Sequence, residues 1–168
     1  MWLVKRIEQA ALGPIYRLVI WLRSAVWRLR RSTLVGVRAL IVRDGAILLI
    51  RHRSGKQPWA LPGGGVERNE RLAEAARREA HEETGAQVRV ERLQGVYDRI
   101  GDRISNYVAV FVCTPLGEPR PARSLEIAEA RFFRMDAPPA GMDPGSRRRI
   151  ADYLAGAQGQ AQDRKSVV

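Results

Sequence analysis

The sequence predicts an α/β fold in which a mixed sheet lies between helical layers, with a basic amphipathic helical extension ahead of it. Three observations predict it. Aliphatic and β-branched stretches recur on both sides of one strongly patterned helical run at residues 63–86, GGGVERNERLAEAARREAHEETGA. A shorter basic helical stretch follows the last of them, and the first 31 residues carry apolar side chains at helical spacing.

Composition bounds the answer. A chain of 168 residues, 45% of them apolar, is long enough for one domain with a real core and modest extensions. The net charge is +11, and residues 1–31 hold seven Lys or Arg against one Glu, so more than half of the excess lies there. The remaining +5 suits a domain that attracts polyanionic nucleotides. No zinc-finger or RNA-binding signature accompanies it, so no nucleic acid is expected as a macromolecular partner. The single cysteine, Cys113, rules out an intramolecular disulfide and sits in an apolar strand pattern, which fits a reducing cytoplasm.

Residues 1–31 form the extension. Val4, Ile7 and Ala11, then Ile15, Leu18, Leu22, Ala25 and Leu29, recur at helical spacing, with Gly13-Pro14 as a break. Arg17, Arg23 and Arg28 interrupt the second segment too often for a membrane span. Two readings stay open: the helix packs on the domain or on a second subunit, or it lies on the anionic inner face of a membrane. Residues 32–155 are expected to be the domain and residues 156–168 a disordered tail.

Within the domain, Leu34 to Val42 and Ala46 to Ile50 read as strands joined by the hairpin signal Asp44-Gly45. Gln87 to Leu93 and Ile104 to Cys113 read as two more, separated by the polar segment Gln94 to Arg103. Pro115 to Arg123, with three prolines, is a loop, and Ile127 to Met135 is a further strand. Ser146 to Leu154 closes the domain as a short basic helix.

The central run carries the chemistry. At about 100° per residue, Glu79, Glu82 and Glu83 share a face with Leu72, Ala75 and Ala76, so the carboxylates are expected to point inward or along a cleft. Like charges at that spacing disfavour the helix by roughly 0.2–0.5 kcal/mol per pair. A divalent cation would remove the repulsion. Oxygen ligands without Cys or His indicate a hard ion, Mg²⁺ first and Mn²⁺ second, whose shell is completed by substrate phosphate. Arg71 stands at the helix start, where Ser or Thr would cap better, and Gly85 where a glycine ends it.

Gly64, Glu70, Arg78, Glu79, Ala80, Glu82, Glu83, Gly85 and Ala86 match G-x5-E-x7-R-E-U-x-E-E-x-G-U, where U is bulky and apolar and is alanine twice here. In these residues the chain resembles the Nudix hydrolases, over roughly Thr33 to Leu154. The resemblance implies the Nudix α/β/α sandwich and hydrolysis of a nucleoside diphosphate linked to another moiety, a small-molecule nucleotide conjugate. It implies Glu82, Glu83 and the Gly63 carbonyl as metal ligands and Glu79 as a ligand or the general base. It also implies a structural pair of Glu70 with Arg78 and structural glycines Gly64 and Gly85. Glu126 is the expected additional metal ligand, with Glu129 as second choice. Arg51, His52, Arg53, Arg99 and Arg103 are candidates to hold phosphates, and Trp59, Tyr97 and Phe132 to stack on a base. Gly101 and Asp102 stand where ADP-ribose enzymes of the family often carry a proline, so no subtype is indicated. The alternative of another class is a Nudix-fold module that binds nucleotides, or regulates, without turnover.

Overall fold

Strand β1 (Thr33–Arg43) turns at Asp44-Gly45 into β2 (Ala46–His52), in a computed structural model that describes residues 33–53, 58–100, 105–119 and 126–158. Arg99, Ile100 and Ser105 are described by backbone alone. The extension at residues 1–31, Arg103 and the tail from residue 159 lie outside the described residues. After β2 come helix α1 (Leu72–Thr84), strands β3 (Val88–Ile100), β4 (Ser105–Pro115) and β5 (Ile127–Arg134), and helix α2 (Pro144–Leu154). The strands form one mixed sheet in the order β3-β4-β1-β2-β5.

Local chemistry explains the elements. Asp44 and Gly45 both take positive φ, 49° and 75°, the backbone that lets a two-residue turn follow the twist of its strands. Val42 then faces Ile47 and Arg43 faces Ala46 in antiparallel register. In α1, Arg71 is the N-cap but carries no acceptor; Glu74 compensates by accepting the Arg71 N–H at 3.2 Å. Gly85 ends the helix at φ 67°, donating to the His81 carbonyl at 2.8 Å. In α2, Asp143 caps the Ser146 N–H at 2.7 Å and Pro144 occupies the first turn. This helix starts two residues earlier than its apolar pattern indicates.

Alternation along the strands divides the core in two. Val37, Ala39, Ile41, Leu48, Ala109, Phe111 and Cys113 pack with Ala75, Ala76 and Ala80 of α1. Leu40, Ile47, Leu49 and Val110 pack on the other face with Ile150 of α2, and with Trp59, Leu61, Tyr97 and Met142. The sandwich of helix, sheet and helix is therefore as expected. Ala75, Ala76 and Ala80 are fully buried, which lets the helix lie close to the sheet. Leu72, expected on that buried face, is 38% exposed at the first turn.

The segment Gln94 to Arg103 is a correction. Instead of separating two strands, its first seven residues continue β3 to Ile100. Gln94 and Tyr97 are buried here, and Gln94 Nε2 donates to the Arg149 carbonyl of α2 at 2.8 Å and to Tyr97 Oη at 3.2 Å. A polar side chain whose amide nitrogen is tied to the covering helix reads as loop in sequence and as core in structure.

Beyond the turn, β1 and β2 part, and the segment before α1 bonds to both. Ile50 and Ala60 exchange backbone hydrogen bonds at 2.9 Å, while Ala39 N–H donates to Pro62 at 2.8 Å and Val37 N–H to Gly64 at 2.9 Å. Among the described residues no helix is long and apolar enough to cross a membrane.

Candidate active site

The glycine turn sits on the sheet because its residues lack side chains. Gly63 has φ 142°, and a Cβ there would lie 2.2 Å from the Val37 carbonyl oxygen. A Cβ on Gly64 would instead lie 2.5 Å from Glu79 Oε1, so the absent side chain makes room for that carboxylate. The Gly63 N–H donates to Glu83 Oε2 at 2.7 Å, joining the turn to the end of α1. Arg38 of β1 donates through Nη1 to the Gly63 carbonyl.

Burial pushes the Glu83 carboxyl up to about 7, helped by the charges of Glu79 and Glu126 and opposed by the Gly63 N–H and Arg38. Arg78 organises the rest. Its Nε and Nη2 grip the two oxygens of Glu70 at 2.8 and 2.9 Å, and Nη2 also reaches the Gly65 carbonyl at 3.0 Å. Its Nη1 donates to Glu79 Oε1 at 2.9 Å and more weakly to Glu82 Oε2 at 3.3 Å. The Arg78 bonds hold Glu70 down at about 2, with help from the Glu67 N–H at 2.9 Å, and Arg78 itself is raised, first by Glu70. The pair fixes the turn against the helix.

The three glutamates, expected to point inward or along a cleft, divide: Glu79 and Glu83 are largely covered, and the Glu82 side chain is 57% exposed, at the rim beside Arg78. Glu126 is exposed at the start of β5, where its carbonyl accepts the Arg53 N–H at 2.8 Å. Its charge still bears on Glu83 and His52, which places the carboxylate on this side of the molecule. Glu129 is engaged elsewhere, paired with Arg51 at 2.8 Å across the β2–β5 ladder and with Arg131 at 3.8 Å.

Of the basic candidates, Arg51, His52 and Arg53 are exposed at the end of β2. His52 is pushed down by desolvation first and by Arg38 second, against Glu126. Arg103 and the Arg99 side chain lie outside the described residues. The aromatic candidates are core residues. Trp59 is buried edge-on to Phe133 at 4.6 Å, with Arg51 and Arg131 over its ring at 5.2 and 5.5 Å. Tyr97 is buried beneath α2, and half-buried Phe132 lies under Arg43 at 4.4 Å. The residue missed in sequence is Arg38, whose signal is a lone arginine inside the aliphatic run LVGVRALIV.

Among the described residues no three acidic, His or Cys side chains already converge as a metal cage, because Arg78 and the Gly63 N–H engage the carboxylates. The donor chemistry nonetheless fits a hard divalent cation. It is oxygen alone, and Glu83 is a carboxylate raised first by burial and then by the charges of Glu79 and Glu126, the electrostatic situation that a cation reverses.

Comparison with known proteins agrees with this geometry. The NUDIX domain profile matches residues 32–153. A MutT-like protein of Streptomyces ambofaciens is 39% identical over 83 residues, 49% of this chain and 53% of that protein, so the match spans about half of that relative. The ADP-ribose pyrophosphatase of Methanocaldococcus jannaschii is 36% identical over 136 residues, 76% of this chain and 77% of the relative. A crystal structure of a UDP-X diphosphatase superposes with a TM-score of 0.65 at 31% identity, over 79% of this chain and 68% of that one.

Proposed function

Because the chain belongs to the Nudix family, we propose that it hydrolyses the pyrophosphate linkage of a nucleoside diphosphate joined to another moiety, with Mg²⁺ or Mn²⁺ as cofactor. The observation that carries this reading is the joint between turn and helix: the Gly63 N–H on Glu83, with the Glu79 carboxylate in the space left by Gly64.

Glu82 and Glu83 would hold the ion, with Glu126 as a further ligand from the start of β5; the Gly63 carbonyl, the remaining candidate ligand, accepts from Arg38 Nη1 instead. Bound Mg²⁺ would neutralise diphosphate charge and make water a better nucleophile. Glu79 is the ligand or general base nearest the turn. Arg78 fixes its Oε1, and its Oε2 takes no hydrogen bond among the described residues. Arg78 and Glu70 act as positioning residues, keeping the turn at a fixed distance from the helix. The exposed run Arg51, His52, Arg53 borders the same side, and its two arginines supply positive charge toward a polyanion.

The named activities of the relatives, on ADP-ribose and on UDP-linked compounds, put these conjugates first in a substrate screen. The full chain is incubated with each compound and Mg²⁺ or Mn²⁺, and mononucleotide and phosphate release are read. Glu82→Gln and Glu83→Gln are each expected to lower turnover by about 10²-fold or more with the fold retained. Folded wild-type protein that turns over no compound would instead support a nucleotide-binding module.

A further inference from the structure

Arg38 is an arginine where the sheet is otherwise aliphatic. It lies on β1 where the neighbouring Val37 and Ala39 amides bond to Gly64 and Pro62, between those two fully buried residues, and is itself half-buried. Among the described residues both of its hydrogen bonds use Nη1: one to the Gly63 carbonyl, one at 3.4 Å to the Val37 carbonyl. Among the described residues no carboxylate lies within ion-pair distance of it. Among the described residues its Nε and Nη2 take no hydrogen-bond partner, and neither is a buried unsatisfied atom. These two donors form the planar edge by which Arg78 grips both oxygens of Glu70.

We propose that Arg38 is a substrate-phosphate clamp: Nη1 is anchored on the Gly63 carbonyl and the open Nε/Nη2 edge receives two oxygens of the substrate diphosphate. The inference rests on the proposed hydrolase reading for the identity of the anion. Anchoring restrains the side chain before substrate arrives, so less rotamer freedom is lost on binding than for a surface arginine. The half-buried position strengthens a charge-assisted fork that a fully solvated residue would share with water. The electrostatics agree. The Arg38 charge bears on Glu83 and also on Arg149 of α2, so a second guanidinium lies near Arg38 on the side of the carboxylates. An anion seated on Arg38 would relieve that repulsion.

The test uses the full chain with Mg²⁺ and methylenediphosphonate, a diphosphate whose bridge cannot be hydrolysed, followed by calorimetry. Arg38→Met is expected to weaken binding by about tenfold or more, and Arg38→Lys to recover only part of the loss, since a point charge cannot fork. A structural role alone would lower the melting temperature and leave the affinity of the folded protein unchanged. Arg38→Met binding as tightly as wild type overturns the proposal, and full recovery by Arg38→Lys overturns the fork. Should Arg38→Met fail to fold, folded Arg38→Lys decides: weakened binding supports the clamp and wild-type affinity overturns it. Turnover by wild type without Arg38-dependent binding would remove the clamp alone. Arg38-dependent binding without turnover would remove the hydrolase reading and keep the clamp.

Discussion

The backbone N–H of Gly63 donates to the Glu83 carboxylate at 2.7 Å, so the turn that leads into α1 is held by that helix's own last turn. The two residues are 20 apart in sequence, and everything proposed for the site depends on that short bridge.

The three glycines of the turn are expected to respond differently to alanine. Gly63→Ala drives a Cβ into the Val37 carbonyl at an unfavourable φ and is expected to destabilise the fold by about 2–4 kcal/mol. Gly64→Ala meets only the end of the Glu79 side chain, so the fold should persist while turnover falls by about 10²-fold. Gly65→Ala meets nothing within 4 Å and should behave as wild type. Thermal melts alongside turnover separate the three, and equal behaviour of all three would contradict the geometry.

Glu70 sets an acid limb of stability. Arg78 and the Glu67 N–H hold its folded pKa at about 2, below the ordinary carboxylate value, so the native state binds fewer protons there than the unfolded chain. Its contribution is complete above the ordinary value and is lost as pH falls toward about 2. Glu70→Gln should therefore be less stable near neutrality, by about 1–2 kcal/mol, with the gap to wild type narrowing in acid. Urea midpoints measured across that range would show parallel curves if the pair contributes nothing.

Ser146 links α2 to the segment that precedes the turn. Its hydroxyl accepts the buried Leu61 N–H at 3.1 Å, and Ser146→Ala leaves that donor unpaired at an expected cost of about 1–3 kcal/mol. Chemical denaturation of the variant measures it, and a loss below a few tenths of a kcal/mol would show that another acceptor replaces the hydroxyl.

Cys113 is fully buried, and burial pushes its thiol up to about 12. Alkylation by iodoacetamide under mildly alkaline conditions should then be slow in the native protein and should follow global unfolding as denaturant is added. Rapid labelling of native protein would place the thiol at the surface.

What the sequence could express was local. Asp44-Gly45 and Gly85 announce themselves because positive φ restricts residue choice to a few types. The spacing from Gly64 to Ala86 was legible because helix periodicity and the turn bind those residues into one unit. Long-range satisfaction was not legible. Gln94 looked like loop until α2 supplied the Arg149 carbonyl, and Trp59 looked available for stacking until Phe133 and two arginines enclosed it. Glu82 shares its face with Glu79 and Glu83 by spacing, yet its side chain is 57% exposed at the rim beside Arg78. Arg38 drew no notice because its partner, a backbone carbonyl 25 residues away, leaves no mark in composition.

The glycine turn completes the ladder of β1, since the Val37 and Ala39 amides have Gly64 and Pro62 as their acceptors. Those two amides are shielded from hydrogen exchange only while the turn is seated. Their exchange rates therefore count the molecules whose pocket is assembled. Exchange at Val37 and Ala39 as slow as at the centre of the sheet would mean that the pocket is rebuilt only when the whole domain refolds.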